Sequence, residues 1–237
     1  MILKPLDELP APVLELLTSK DFAPKPGRFG VTALLAPIQQ TVLKRRYHKQ
    51  IRAKEKPTDA QARVLGTVLH EALENVGRGL IKDGMPIEVE RFVTDTFFDW
   101  RLTGVMDLLA DGYVYDYKLT AAKNYGQEDR EEEWIWQLGI YRYLLHLKGI
   151  KTKGARIVMW AKDYSKLTGL RERTYPPDAI VTLELPNLPM EEVEHFVNKR
   201  MAQIIADHWC KDEDLTPCTK EEMWAKPDTF AVMKKKG

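Results

Sequence analysis

The sequence predicts an α/β protein whose mixed β-sheet is flanked by helices, with further helices towards both ends of the chain. Three observations favour this class. Apolar residues at helical spacing are followed by three or four strand-like runs, then by a second helical stretch and another strand. Asp111-Gly112 lies between two of the strand-like runs and predicts a tight antiparallel hairpin. With 44% hydrophobic and 30% charged residues among 237, the composition is that of a globular protein.

Composition excludes some classes of protein and leaves others open. No apolar run approaches the ~18 residues that a membrane-spanning helix needs, and the N-terminus lacks the pattern of a secretory signal, so we expect a cytoplasmic protein. The net charge of +1 does not by itself indicate nucleic-acid binding. Cys210 and Cys218 cannot fill a four-ligand metal site alone, and we expect them to be free thiols.

The N-terminal region, residues 1–57, is expected to be a helical and basic arm. Five of its first thirty residues are proline, with a short helix expected over residues 12–20 and a second over residues 32–46. Residues 44–56 then contain one acid and seven basic residues: Lys44, Arg45, Arg46, Lys49, Arg52, Lys54 and Lys56. Such a stretch is either a solvated helix end or a surface that contacts phosphate groups.

Residues 58–162 contain the helices and strands of the predicted core. Helices are expected over residues 58–76 and 131–147, and strands over residues 87–93, 96–102, 104–110, 113–119 and 155–160. Thr58 or Asp59 is the expected N-cap of the first helix. A C-terminal extension, residues 163–237, is expected to pack on the core through a strand and a helix, over residues 180–185 and 190–209.

The hairpin at Asp111-Gly112 brings two carboxylates together. A two-residue turn fixes the register of its strands, and three pairs follow directly: Ala110 with Tyr113, Leu109 with Val114, and Leu108 with Tyr115. One step further, Asp107 falls opposite Asp116, on an apolar face that we expect to point towards the core. Lys118 lies two residues beyond Asp116 and therefore on the same face.

The carboxylates of Asp107 and Asp116 need a neutralising partner, because two like charges on an apolar face destabilise a sheet. A hard divalent cation such as Mg²⁺ or Mn²⁺, bridging both, is one solution. An internal ion pair between Lys118 and one aspartate, with the other aspartate in solvent, is another. The register indicates a metal site and leaves both solutions open.

Polar residues on neighbouring elements are candidates to join this hairpin. His70, in the sequence GTVLHEALE, borders an apolar stripe, and Gln137 and Tyr141 lie one turn apart on the second helix. From spacing alone, each is better explained as a core, surface or helix-edge residue than as a functional one. Gly66, one turn before His70, is expected to let a neighbouring segment approach closely. Glu90 is expected to be an exposed strand acid, with a place in the site as the alternative.

Four short motifs occur in order along the core. They are GxxxH at residues 66–70, GxxD at residues 104–107, DxK at residues 116–118 and QxxxY at residues 137–141. In this order and at these separations, the chain resembles the PD-(D/E)XK nuclease superfamily, specifically its RecB-like branch, over residues 58–160. Residues 31–46 and 217–237 are similar to regions of phage-encoded exonucleases of that branch.

The resemblance implies a restriction-endonuclease-like core and a divalent-metal-dependent DNA exonuclease. Its expected setting is phage or prophage recombination or repair, in the cytoplasm of a bacterial host. Mg²⁺ or Mn²⁺ would be held by Asp107 and Asp116, joined by His70 and the backbone carbonyl of Leu119. Lys118 would orient the attacking water or help to deprotonate it.

The resemblance also implies roles and partners outside the metal site. Gln137 and Tyr141 would support the site or contact DNA, and beside such a core the basic stretch is interpreted as DNA-binding through Lys44, Arg45, Arg46, Lys49 and Arg52. Some relatives hold an iron–sulfur cluster with four cysteines; with two cysteines, none is expected here. A homo-oligomer and a phage strand-annealing protein are the candidate partners. The alternatives are a structure- or sequence-specific endonuclease and an inactive DNA-binding module. The intact set Asp107, Asp116 and Lys118 argues against the inactive module.

Overall fold

Six β-strands form one mixed sheet at the centre of the computed structural model, which describes residues 10–18, 23–56, 60–220 and 222–223. The strands are β1 (Arg28–Gly30), β2 (Ile87–Phe97), β3 (Trp100–Ala110), β4 (Tyr113–Thr120), β5 (Gly154–Ala161) and β6 (Ile180–Leu185). Their order is β1-β3-β4-β5-β6, with β2 paired to β3. The pairs β1–β3 and β4–β5 are parallel and the others antiparallel, which confirms the mixed α/β class.

Strand β3 pairs with three other strands, and part of one of its edges is left unpaired. Strand β2 occupies one edge of β3 along most of its length. The other edge is shared, because residues 101–103 pair with β1 and residues 108–110 pair with β4. Among the described strands, none pairs with residues 104–107 on this second edge. The GxxD motif therefore lies where β4 separates from β3.

Helices cover the sheet from two sides. On one side, four helices enclose the main apolar core: α2 (Val31–Leu35), α3 (Ile38–Arg46), α6 (Glu128–Leu147) and α8 (Met190–His208). On the other side lies α5 (Gln61–Lys82), whose Gly77 packs against Val89 of β2. Three short helices have no buried residues: α1 (Ala11–Thr18), α4 (His48–Lys54) and α7 (Lys166–Gly169). No helix in the described part of the chain is long and apolar enough to cross a membrane.

Helix α6 confirms the second helix expected in the core and begins three residues earlier, at Glu128. Glu128 and Asp129 lie in its first turn, where the helix dipole favours negative charge. Ten of its residues are buried because the sheet covers one side of the helix and α8 packs against another. This burial fixes the position of the QxxxY motif relative to the sheet.

Two expected boundaries are wrong. The strands expected over residues 87–93 and 96–102 do not exist separately, since β2 is continuous and the chain reverses at Phe98-Asp99, where φ is 49° and 65°. Positive φ at both central residues is typical of a type I′ turn. The helix expected over residues 32–46 is interrupted at Ala36-Pro37, where Ala36 is extended, with φ −76° and ψ 156°. A residue before proline is sterically driven out of the helical conformation.

The N-terminal arm contributes to the sheet, because residues 28–30 form β1. Helix α5 continues beyond residue 76 to Lys82. Its expected N-cap residues, Thr58 and Asp59, lie outside the described residues. Cys210 and Cys218 are free thiols, as expected.

Gly104 is expected to tolerate no larger side chain. A Cβ at this position would lie 2.4 Å from Cε1 of Tyr141 and 3.1 Å from Cγ2 of Val31. We expect Gly104→Ala to lower the free energy of unfolding by about 1–3 kcal/mol, measured by urea denaturation. Gly79→Ala on α5 is the control, because no described atom lies within 4 Å of its Cβ, and it should be neutral or stabilising by up to about 1 kcal/mol. Equal stabilities of the two variants would contradict the tight contact.

Candidate active site

The β3–β4 hairpin has the expected register next to its turn. Three pairs are confirmed: Ala110 with Tyr113, Leu109 with Val114, and Leu108 with Tyr115. The fourth expected pair, Asp107 opposite Asp116, is wrong, because the ladder ends at Leu108. The Asp107 carboxylate instead accepts a hydrogen bond from the backbone N–H of Tyr117, at 2.6 Å. Asp107 therefore lies at the gap between β3 and β4.

A local break in the β2–β3 ladder accompanies this change. The two strands are paired on both sides of Glu90 and Asp107 but not at these two residues. Glu90 has φ +48°, a left-handed conformation that is uncommon outside glycine. Beside the break, Asp107 bonds to His70 of α5, whereas Asp116 bonds to Gln137 of α6. The two carboxylates therefore point to opposite sides of the sheet rather than sharing one face.

His70, Glu90 and Asp107 form a group that could hold a metal ion. One ligand atom from each residue lies within 4.8 Å of the other two. Asp107 is buried, while His70 and Glu90 are partly exposed at a cavity of about 460 Å³ between α5 and β2. An imidazole nitrogen and carboxylate oxygens are suitable ligands for a divalent cation. The structure thus places Glu90, expected as an exposed acid, among the candidate ligands.

The electrostatics of this group favour a cation. Burial and the charge of Asp107 raise the pKa of Glu90. The two ring nitrogens of His70 lie 3.1 Å from Oδ1 of Asp107 and 3.0 Å from the carbonyl oxygen of Tyr117. The hydrogen bond to Asp107 raises the pKa of His70. A divalent cation would relieve the repulsion between the Glu90 and Asp107 carboxylates, and it would displace the proton that the raised pKa favours on His70.

Asp116 and Lys118 form a second group on the α6 side of the sheet. The Lys118 ammonium lies 2.7 Å from Oδ2 of Asp116 and donates to Oε1 of Gln137 at 2.9 Å. Gln137 donates from Nε2 to Oδ1 of Asp116 at 2.9 Å and, more weakly, to the Tyr141 hydroxyl at 3.5 Å. Burial raises the pKa of Asp116, and the charge of Lys118 opposes that rise. The QxxxY motif thus holds the DxK motif in place.

Of the two solutions that the sequence left open, a cation bridging Asp107 and Asp116 stays a prediction, because Asp116 does not belong to the group His70, Glu90 and Asp107. The internal ion pair is present between Lys118 and Asp116. Asp107 is nevertheless not in solvent, since it is 8% exposed and belongs to the candidate metal group. The ion pair and the metal group are therefore neighbours rather than alternatives.

Two further expectations differ from the structure. No described atom lies within 4 Å of a Cβ built on Gly66, so the close approach expected there is wrong, and Gly66 instead lines the 460 Å³ cavity. The carbonyl that reaches His70 belongs to Tyr117, whereas Leu119 pairs with Trp160 of β5. Metal ligation by the Leu119 carbonyl stays a prediction.

Comparison with known protein families identifies the superfamily of the chain. Residues 79–220, which are 142 of the 237 residues, match the family model of the PD-(D/E)XK nuclease superfamily. The chain belongs to this superfamily. Its members are nucleases that use divalent metals, so the protein is a nuclease and DNA is its class of substrate. No protein of curated function matches the sequence.

Solved structures resemble the nuclease at low sequence identity. SSO0001 is 16% identical, with a TM-score of 0.54, and the match covers 80% of this chain and 84% of that one. A protein from Eubacterium rectale, named as a proposed exonuclease, is 12% identical over 93% of this chain and 82% of its own, with a TM-score of 0.37. LHK-Exo, in complex with dAMP, is 14% identical over 77% and 90%, with a TM-score of 0.43. SSO0001 shows the same fold, while the other two scores lie below 0.5.

The basic residues expected to bind DNA divide into two groups in the nuclease. The three arginines have partners within the chain. Arg45 donates to the carbonyls of Arg28 and Lys25, and Arg52 pairs with Glu55. Arg46 pairs with Asp212 and donates to the carbonyls of His208 and Cys210. Lys44 and Lys49 line cavities at the surface. DNA contact by these five residues stays a prediction, and Lys44 and Lys49 are the best placed for it.

Proposed function

We propose that the nuclease is a DNA exonuclease that uses Mg²⁺ or Mn²⁺ and acts in phage or prophage recombination or repair. The observation that carries the metal-dependent part is the group His70, Glu90 and Asp107, whose ligand atoms lie within 4.8 Å of one another, beside the Lys118–Asp116 ion pair. Carboxylate-rich ligand sets are typical of these two cations. Attack on DNA ends and the phage setting rest on the order of the four motifs and on the resemblance of residues 217–237 to phage exonucleases.

The metal would be held mainly by His70, Glu90 and Asp107. Asp116 and the backbone carbonyl of Leu119 are the remaining candidate ligands. When bound, the ion would neutralise charge on the scissile phosphate and lower the pKa of a coordinated water. Both contributions are needed because phosphodiesters carry negative charge and water is a weak nucleophile at neutral pH.

Lys118 would act at the gap between β3 and β4. Its side chain is 25% exposed, so the ammonium can meet a substrate while Asp116 and Gln137 hold its position. An ammonium fixed there can orient the attacking water and donate to a phosphate oxygen as negative charge develops on it. Tyr141 supports Gln137 from α6 and packs against Gly104 of β3.

An exonuclease requires a DNA end, and this separates it from an endonuclease. In the presence of Mg²⁺ or Mn²⁺, we expect linear double-stranded DNA to be degraded to nucleotides from its ends, where the strands can separate, while a covalently closed circle of the same sequence stays intact. The measurement is gel electrophoresis of both substrates over one time course, with EDTA as the control that stops the reaction. Conversion of the closed circle to open or linear forms, at a rate similar to the loss of linear DNA, would instead identify an endonuclease.

A further inference from the structure

Two apolar side chains lie uncovered on the sheet near the candidate metal group. Phe92 of β2 is 55% exposed and Val105 of β3 is 42% exposed. The two residues are directly paired across the strands, in the middle of each strand. Contiguous apolar surface left open to solvent, rather than scattered single residues, indicates contact with a ligand or partner.

The direction of this apolar pair follows from its neighbours. Val93 and Gly104 form the next pair along the ladder. Val93 is buried in the core, and a Cβ on Gly104 would meet Tyr141 of α6. Because side chains alternate between the faces of a strand, Phe92 and Val105 point to the opposite side of the sheet, where α5 lies.

The candidate metal group lies on this same side. Glu90 is two residues from Phe92 along β2, and Asp107 is two residues from Val105 along β3, which is roughly 7 Å along each strand. Glu90 and Asp107 meet His70 of α5 there. A phosphate held at the carboxylates through a bound cation would therefore place the adjoining nucleotide over the apolar pair.

Beyond the apolar pair, β3 leads to a basic cavity that is lined by residues of β1, α2 and α3. Thr103, two residues before Val105, lines a cavity of about 860 Å³. Its lining, within the described residues, contains no aspartate or glutamate and five basic residues: Lys25, Arg28, Lys44, Arg45 and His48. Asp107 of the candidate metal group, Val105 of the apolar pair and Thr103 at the basic cavity thus follow one another along β3. A nucleic-acid strand, with anionic phosphates and apolar base faces, matches this order.

We propose that Phe92 and Val105 receive the nucleobase next to the scissile phosphate, and that the strand bound there is unpaired. This inference rests on the proposed nuclease site and adds that the DNA strand bound at that site is single-stranded. A phenylalanine ring packs on a base whose face is free, whereas bases inside a duplex are covered on both faces by their neighbours. A protein partner would account for the apolar pair but not for its place two residues from both Glu90 and Asp107 of the candidate metal group.

The test compares two exposed phenylalanines on the same hairpin. Phe92→Ala removes the ring beside the carboxylates, and Phe98→Ala removes a ring that is 59% exposed in the β2–β3 turn. With Mn²⁺ and a single-stranded oligonucleotide, we expect Phe92→Ala to lower kcat/KM by about five- to a hundredfold, mainly through KM. Phe98→Ala should stay within about twofold of the unaltered nuclease, and Phe92→Trp should restore most of the activity, because its ring also stacks.

A second substrate shows whether the lost contact is with a base. On an oligonucleotide with abasic positions beside the scissile bond, the unaltered nuclease and Phe92→Ala should have the same kcat/KM. Equal losses on the intact and abasic oligonucleotides, or no loss on either, overturn the proposal. A changed sedimentation coefficient with unchanged cleavage also overturns it, since it identifies the pair as a protein interface.

A binding measurement distinguishes failure of the proposed base contact from failure of the proposed nuclease activity. If the unaltered nuclease cleaves no DNA, oligonucleotide binding in EDTA, measured by fluorescence anisotropy, replaces the kinetic test. Weaker binding of the intact oligonucleotide by Phe92→Ala than by Phe98→Ala supports the base contact. Equal binding by the two variants overturns it.

Discussion

Replacing Asp107 by asparagine is expected to reduce metal-dependent DNA cleavage by about a thousandfold or more. The Asp107 carboxylate is the buried member of the candidate metal group and contacts both His70 and the backbone N–H of Tyr117. Asparagine has nearly the same shape and keeps an oxygen that can accept from Tyr117. The fold should therefore survive while the negative charge needed to hold a divalent cation is lost. The measurement is the rate of release of labelled nucleotides from linear DNA.

The same substitution should abolish stabilisation by metal. A ligand that binds the folded state at 100 times its Kd stabilises that state by about 2.7 kcal/mol. We expect Mg²⁺ or Mn²⁺ to raise the Tm of the unaltered nuclease and to leave that of Asp107→Asn unchanged. Asp95→Asn is the matched control, because Asp95 is a β2 carboxylate that pairs with Lys148 rather than with the metal group. Equal metal-induced shifts for the nuclease and Asp107→Asn would place the metal elsewhere.

The two hairpin turns show how far residue types alone predict this site. Asp111-Gly112 has positive φ at both residues, 52° and 83°, and is readily recognised because aspartate and glycine tolerate this conformation. Phe98-Asp99 adopts a similar backbone, but phenylalanine is not a typical residue of such turns. Had that turn been recognised, counting back along both strands would have placed Glu90 opposite Asp107. The atypical turn, rather than the sequence around Glu90, is therefore the reason why the sequence favours an exposed acid at this position over a place in the site.

The expected pairing of Asp107 with Asp116 failed for a different reason. Alternation along a hairpin predicts which residues oppose one another only while the strands remain paired. Here β1, formed by residues 28–30, takes the edge of β3 beyond the point where β4 separates from it. This contact joins segments about seventy residues apart in sequence, and no local pattern in either segment encodes it. The four motifs and their order are read directly from the sequence. The gap between β3 and β4 that separates the two aspartates cannot be predicted from it.

Lys118→Met is expected to lower both activity and stability, whereas adding Asp116→Asn should restore only the stability. Loss of the ammonium removes the group that orients water and stabilises charge on the phosphate, which should reduce cleavage by about 10²–10⁴-fold. It also leaves the Asp116 carboxylate, 6% exposed, without its ion-pair partner. Removing one member of a buried ion pair destabilises a protein by 3–5 kcal/mol; because Lys118 is partly exposed, we expect about 2 kcal/mol, measured by urea denaturation.

The double variant separates the two roles of Lys118. Asparagine at position 116 carries no charge and can still accept the hydrogen bond that Gln137 now donates to Asp116. Lys118→Met with Asp116→Asn should therefore recover most of the lost free energy of unfolding, giving a coupling that a double-mutant cycle measures directly. Cleavage should stay absent in the double variant, since neither the ammonium nor the carboxylate is regained. Activity returning together with stability would mean that Lys118 supports only the fold, and its position at the gap would then have no part in the chemistry.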